Sequence, residues 1–437
     1  MTQPRHIALA ALLAVFALTA AAQTNGSNSP YSRYGFGLLG DGGNAFNKGM
    51  AGTAYAMRHG KQVNSKNPAS YSAIDSLTFL FDVGLSLQHG NLSQSGRKAN
   101  AENTSIDYLN MGFRVAPRLG MSLGLMPFST VGYKTMYEKP LSGTVGEVKQ
   151  TGTYSGDGGM HEVYGGLGWA PLKSLSLGAN IGYLWGNLEH SSTMTFDDSN
   201  ISTTQQQYQA EIRTYKASFG LQYVQPLGKK QTLTLGFTYG LGHRVNRTAY
   251  FYNQMLTSGS VVGGDTASVR NAFELPHTFG AGMAWEYGKK WRVGADYTFQ
   301  KWGDVKFPQV VQQPDGSVSY EARKGQFSHM HRISVGAEYT PNVDGVKWRQ
   351  FLRYQVGFAY TTPYTRIDGN DGPRDYQASV GVSLPIINMH NNRSLLNVAF
   401  QYEHVKPRMA GQVTENYFRL SLGLSFNERW FMKWRAE

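Results

Sequence analysis

A serine between glycines, a glycine-rich turn, a histidine–glutamate pair, a histidine doublet and an acidic loop are the places where this chain could do chemistry. Gly120-Met121-Ser122-Leu123-Gly124 has the spacing of a hydrolase nucleophile. That spacing works only on a strand-to-helix elbow, which lifts the hydroxyl into the open. Here the flanking residues alternate as in a strand, and no elbow is expected. Gly35-Phe36-Gly37-Leu38-Leu39-Gly40 matches G-x-G-x-x-G, but no strand leads into it and no helical pattern leaves it, as a dinucleotide site requires. His161-Glu162 and His329-Met330-His331 carry metal-type donors, the doublet on one face of a strand, yet spacing supplies no third ligand. Asp368-Gly369-Asn370-Asp371-Gly372 lacks the spaced bidentate Glu of a calcium loop and reads as a solvated tip. With no cysteine in 437 residues, disulfides, thiolate zinc sites and thiol catalysis are excluded. No catalytic residue, metal or cofactor is expected.

The elements behind these residues are strands. Phe418, Leu420, Leu422, Leu424 and Phe426 alternate with Arg419, Ser421, Gly423 and Ser425, and the same period of two recurs from Ser76 to the end. Apolar faces end in aromatics such as Trp169, Trp285, Trp291 and Tyr339, beside short turns, where a lipid-facing wall places its interfacial rings. Short connections alternate with long polar ones near 91–104, 129–158, 196–204, 253–272, 308–325, 363–373 and 406–414. The strands between them are expected at 76–90, 105–116, 119–128, 159–170, 174–195, 205–225, 231–252, 273–287, 291–307, 326–340, 350–362, 374–385, 394–405 and 415–427. This predicts an all-β transmembrane antiparallel barrel of about fourteen strands. Charged residues are only 16% of the chain, against about 25% in a soluble domain. The strands near 174–252 exceed the roughly nine to eleven residues a crossing needs, so their ends should form a polar collar.

Arg5 and His6, the apolar run Ile7–Leu18 and Ala20-Ala21-Ala22 form the three regions of a secretory signal peptide over residues 1–22. Residues 23–75 are glycine-rich and show no sustained alternation. A barrel of this size has a lumen its own side chains cannot fill. Residues 23–75 are therefore expected to be a plug within a barrel formed by 76–437, with Tyr31, Tyr34, Phe36, Leu38, Leu39, Phe46 and Met50 available to an apolar ligand. Asn67-Pro68-Ala69 stands where the plug must leave the lumen, and a rigid turn there would fix it to the wall.

Ser29-Pro30-Tyr31-Ser32-Arg33-Tyr34-Gly35-Phe36-Gly37, Asn67-Pro68-Ala69 and Gly124-Leu125-Met126-Pro127-Phe128-Ser129 together resemble the FadL/TodX-type long-chain fatty acid transporters of Gram-negative outer membranes. The resemblance implies passive uptake of long-chain fatty acids or other hydrophobic small molecules, with sideways exit at a kink in the third strand. Pro127, Phe128 and Ser129 stand at that kink, although the family usually has Gly where Ser129 stands. Independently, Pro127 cannot donate to a strand ladder and sits badly in an unbroken wall.

The net charge of +12 comes from scattered Lys and Arg, without the basic helix, zinc site or aromatic platform of a nucleic-acid binder. Contact with outer-membrane lipid headgroups accounts for many of them. Arg213, Arg292, Arg332 and Arg419 are read as lumenal and are candidates for holding a carboxylate headgroup, although for each one structural pairing with Glu and Asp across the lumen is the commoner role. An alternative reading is an accessory barrel of a secretion or surface-attachment system, as the PorV-type partners of type IX secretion are, with long loops binding protein.

Overall fold

The computed structural model describes residues 27–141, 148–198, 200–312, 318–342, 348–386 and 394–428. The expected signal peptide, residues 1–22, lies outside them. Among the described residues, fourteen antiparallel strands close into a barrel. They are β1 (Phe79–Gln94), β2 (Arg97–Ala116), β3 (Leu119–Pro140), β4 (Lys149–Trp169), β5 (Leu175–Phe196), β6 (Thr203–Pro226) and β7 (Gln231–Gly240). The second half is β8 (Thr278–Tyr287), β9 (Trp291–Gln300), β10 (Met330–Tyr339), β11 (Arg353–Thr361), β12 (Arg374–Ile386), β13 (Ser394–Lys406) and β14 (Thr414–Glu428). Each pairs with the next, and β14 returns to β1 through pairs such as Phe81 with Phe426.

The wall inverts the order of a soluble protein. Ile181 is 70% exposed and Phe358 63%, while Asn180 is 7% and Ser421 0% exposed. Apolar side chains face outward and polar ones inward, the arrangement a strand needs when lipid is its outer solvent. Trp169, Trp285 and Trp291 are exposed at the short-turn end. At the other end β3, β4, β5 and β6 run to 22, 21, 22 and 24 residues and rise above the apolar band.

In that collar the structure corrects the expected boundaries. The loop expected at 129–158 is mostly strand, β3 reaching Pro140 and β4 starting at Lys149. The loop expected at 91–104 shrinks to a turn at Ser95-Gly96, where both residues have positive φ. The strand expected over 231–252 ends at Gly240, and 249–257 with 260–269 forms a hairpin that continues the sheet from β6. Residues 307–312 and 318–323 pair as another hairpin. Above the membrane the outer face meets water in place of lipid, so the alternation that marks the membrane band stops reporting strands although their ladders persist.

The collar's inner face is apolar. Val131, Tyr133, Leu184, Leu188 and Ile212 turn inward onto an aromatic cluster fed by the loops, with Phe36 at its centre. Residues 27–75 run inside the wall. They contain a 3-10 turn at Pro30–Arg33, a two-residue strand at Leu38–Leu39, helix α1 (Ala45–Gly49) and a second 3-10 turn at Pro68–Ala73.

Candidate functional site

Glycines on the inner face decide where this segment can lie. Gly120, Gly168, Gly178 and Gly220 are register partners across β3, β4, β5 and β6 and form one continuous row. The turn at Pro68–Ala73 rests on that row. A Cβ on Gly178 would sit 2.3 Å from the carbonyl carbon of Pro68, and one on Gly120 2.0 Å from the carbonyl oxygen of Tyr71. A second row, Gly294, Gly336 and Gly357 on β9, β10 and β11, lies beneath Thr53, Met50 and Met57. No side chain fits between wall and segment at either row.

Polar groups complete the attachment. The Lys48 ammonium is 2.7 Å from the Asp107 carboxylate of β2, both nearly excluded from solvent. The amides of Ala54 and Tyr55 donate to one oxygen of Asp296 on β9, at 2.6 and 2.9 Å. Arg332 of β10 donates to the Ala51 carbonyl, and Ser379 of β12 accepts from the Ala51 amide. Asn67 caps the second 3-10 turn by accepting from Ala69 N–H at 3.1 Å. Its amide donates to Tyr55 O at 2.7 Å and to Leu221 O of β6 at 3.3 Å. Pro68 opens that turn, where its missing N–H costs nothing. Burial and the cations Arg292 and Arg353 hold His59 neutral, its pKa well below the ordinary value, and its Nε2 lies 2.8 Å from Arg292.

The wall has a gap on one side. The β2–β3 ladder runs only from Ala116–Leu119 to Leu109–Leu125. Beyond Leu125 the β3–β4 register shifts at Pro127 and Ser129, leaving Phe128 as a bulge. The free edge of β3 is taken instead by the inner segment: Leu38 pairs with Thr130, Leu39 with Ser129, and Gly40 N–H donates to Phe128 O at 2.8 Å. Ser32 Oγ bonds the backbone of Gly132 farther up.

Behind this stitch lies a cavity of about 200 Å³, lined in part by Leu39, Asp41, Lys66, Met126, Pro127, Phe128, Glu162 and Lys216. Lys216 Nζ is 2.5 Å from Glu162 and 5.4 Å from the centre of the Phe128 ring. Burial lowers the Lys66 pKa, with nearby Asp41 opposing the shift. Burial raises that of Asp41, but Lys48, Lys66, Arg332 and the Gly43 N–H together hold it below its ordinary value.

Of the apolar residues expected to meet a ligand, Leu39 lines this cavity. Phe36 is packed 5.5 Å from Trp302 and 5.3 Å from Phe307, Phe46 is edge-on to His59, and Met50 packs onto the second glycine row. Tyr31 donates to Val413 O, the carbonyl of Tyr34 accepts from Tyr364, and Leu38 is half-buried at the stitch.

Of the four arginines, the lumenal placement of Arg213 requires correction, and the other three are engaged by partners inside the wall. Arg213 is on the outer face with Glu211, because it lies an even number of residues from outward-facing Phe219. Arg292 is held by Glu286 and Glu338, Arg332 by Gln377 and Ala51, and Arg419 by Gln88 and Glu403. The cations that reach the cavity are Lys66 and Lys216, which no motif marks; alternation along β6 is the signal that turns Lys216 inward with Ser218. Ser122 Oγ is bonded to Tyr164 inside the wall, and His329 and His331 meet Gly303 and Tyr297 respectively.

The model of the BamG family matches residues 5–437. The chain belongs to the BamG family. This BamG-family barrel is also similar to solved structures of the FadL type. A Pseudomonas aeruginosa FadL homologue is 13% identical, covering 89% of this chain and 99% of its own, with a TM-score of 0.63. The Ralstonia pickettii toluene transporter TbuX is 14% identical over 90% and 99%, with a TM-score of 0.60. The Pseudomonas putida toluene transporter TodX is 15% identical over 90% and 100%, with a TM-score of 0.60. At these identities the likeness is one of fold. A search of curated proteins finds no match.

Proposed function

We propose that this barrel lies in the outer membrane and passes a small hydrophobic molecule sideways through its wall, residues 27–75 acting as a fixed plug. The observation that carries this reading is the gap at the β3 bulge, with a cavity behind it and only a two-residue strand across it. A ligand leaving there enters lipid without crossing water. The cavity, about 200 Å³, compares with the roughly 150 Å³ that encloses benzene. One aromatic ring or a short alkyl chain fits that space better than a long-chain fatty acid. Two structural neighbours are named toluene transporters, which supports the same size class.

Leu39→Cys with Ser129→Cys tests the route, since these residues are direct partners. Uptake of labelled toluene by cells carrying the oxidised pair should fall to the level of cells lacking the protein, and reductant should restore it. Equal uptake in locked and reduced states would overturn the lateral route.

The outer mouth favours a second reading. Phe36, Trp302 and Phe327 close it with fully packed side chains, which suits an accessory barrel working with protein partners through its collar. Stoichiometric proteins retained on purification in mild detergent, with uptake unchanged by deletion, would favour this reading.

A further inference from the structure

The lipid-facing wall carries a feature that transport through the lumen does not use. On β7, β8 and β9 the outer face holds two rows of bulky rings. Ala281 interrupts one of them, with Phe237 and Tyr297 as its register partners and Phe279 two residues along its own strand. The small side chain leaves a cleft of about 500 Å³, walled also by Phe299 and His331. Its position is in the outward half of the apolar band, since the Trp285 and Trp291 rings mark the opposite boundary.

The upper lip is polar and has a defined hydrogen-bond sense. His277 Nδ1 accepts from the Gly242 amide at 3.2 Å and lies 2.9 Å from the Tyr239 hydroxyl. A backbone N–H can only donate, so Nδ1 is an acceptor and the neutral ring carries its proton on Nε2. His331 Nδ1 is 2.8 Å from the Tyr297 hydroxyl at the edge of the cleft. His277, two residues beyond the Phe279 ring on β8's approach, therefore carries its imidazole N–H on Nε2, on the outward side of the apolar slot.

We infer that this cleft retains one acyl chain of an outer-leaflet lipid, with an ester or phosphate oxygen of that lipid received at the histidine lip. Every barrel wall touches lipid, but most of this wall is convex. Here a chain would lie in an open cleft between rings, its polar end toward the histidines on the outward side. A bound lipid would complete the outer surface of β7, β8 and β9, whose inner face is occupied by Tyr55 packed on Gly236, Gly280 and Gly282.

The test is native mass spectrometry of the full chain extracted from its own membrane in mild detergent. The variants are Ala281→Trp, which fills the cleft, and Val380→Trp, which adds the same bulk to outward-facing β12. Wild type and Val380→Trp should carry about one lipid per barrel, and Ala281→Trp roughly tenfold less, the effect of unburying about two methylenes. Ala281→Leu replaces the Trp variant if the latter does not assemble. Equal lipid on all three proteins would overturn the inference, leaving only annular lipid. So would a protein partner, rather than a lipid, lost from Ala281→Trp. Toluene uptake measured alongside keeps this outcome separate from the transport reading, since the cleft lies outside the lumen.

Discussion

Adding one methyl group at a time to the inner glycine row should loosen the plug without unfolding the barrel. Gly168 and Gly178 are register partners beneath the Pro68–Ala73 turn. A Cβ at Gly168 would be 2.4 Å from Pro68 O, and one at Gly178 2.3 Å from the Pro68 carbonyl carbon and 2.5 Å from Ala69 N. These are backbone atoms, so no side chain can swing away. Neither glycine has positive φ, so alanine suits the wall itself, and the strain falls on the segment it touches. Overpacking typically costs about 1–3 kcal/mol per site. The two sites push on the same turn and will not add fully. A combined loss of about 3 kcal/mol shifts the docked-to-released ratio by roughly 150-fold.

Gly165→Ala is the control. It lies on β4 with Gly168, faces outward, and its Cβ would meet only the flexible Leu123 side chain at 3.2 Å. Released segments should be cut by trypsin at Arg58, Lys61 or Lys66, and the barrel should conduct ions in planar bilayers. Gly168→Ala with Gly178→Ala should show both effects, and Gly165→Ala neither. A double variant that stays as protected and as silent as wild type would refute the steric argument. Equal leakage from the Gly165 control would mean that the wall itself cannot accept the methyl groups.

Three further outcomes follow from the same attachments. Lys48→Met leaves Asp107 buried without its cation; removing one partner of such a pair costs about 3–5 kcal/mol, which should appear as a lower midpoint for heat-induced gel migration. Asn67→Ala removes both the cap of the Pro68–Ala73 turn and the donor to Tyr55 O, and should weaken plug protection by about 1–3 kcal/mol while barrel assembly is unchanged. His59 is held neutral when docked and gains a proton more readily when released. Its contribution is therefore complete above the ordinary value of 6.5 and is lost as pH falls below it, by at most about 1.4 kcal/mol per pH unit. Proteolysis rates in His59→Gln should lose this dependence between neutral pH and pH 5.5, a range set by the same ordinary histidine value of about 6.5.

Within the membrane band a strand has lipid on one side and a polar interior on the other, so period-two alternation, divided by the alternating short and long connections, placed all fourteen crossings. That rule fails in the collar, where the solvents exchange places. The outer face meets water, and the inner face meets the Phe36 cluster, so Leu184, Leu188 and Ile212 point inward while Arg213 points out. Polarity there names the wrong face; only parity counted from a membrane residue such as Phe219 names the right one. The bulge at Phe128 is a different case, because Pro127 marks a broken ladder in any register, but what fills the break is a pairing with Leu38 and Leu39 more than eighty residues earlier. The glycine rows share that limit. Gly120, Gly168, Gly178 and Gly220 are scattered through a hundred residues of sequence and become one surface only when four registers are fixed together. The abundance of glycine thus signals crowding, while the ladder decides where the crowding falls. The same ladder makes the inner segment's position a property of the wall: the segment lies where the strands carry no side chains, and its Lys48 ammonium and its backbone amides and carbonyls are met by Asp107, Asp296 and Arg332 from three different strands. A segment held from so many directions cannot leave as a unit without giving up most of these contacts together. The Leu38–Leu39 stitch holds β3 by two residue pairs and can peel from it alone, which is the physical argument for the proposed route through the wall rather than through the lumen.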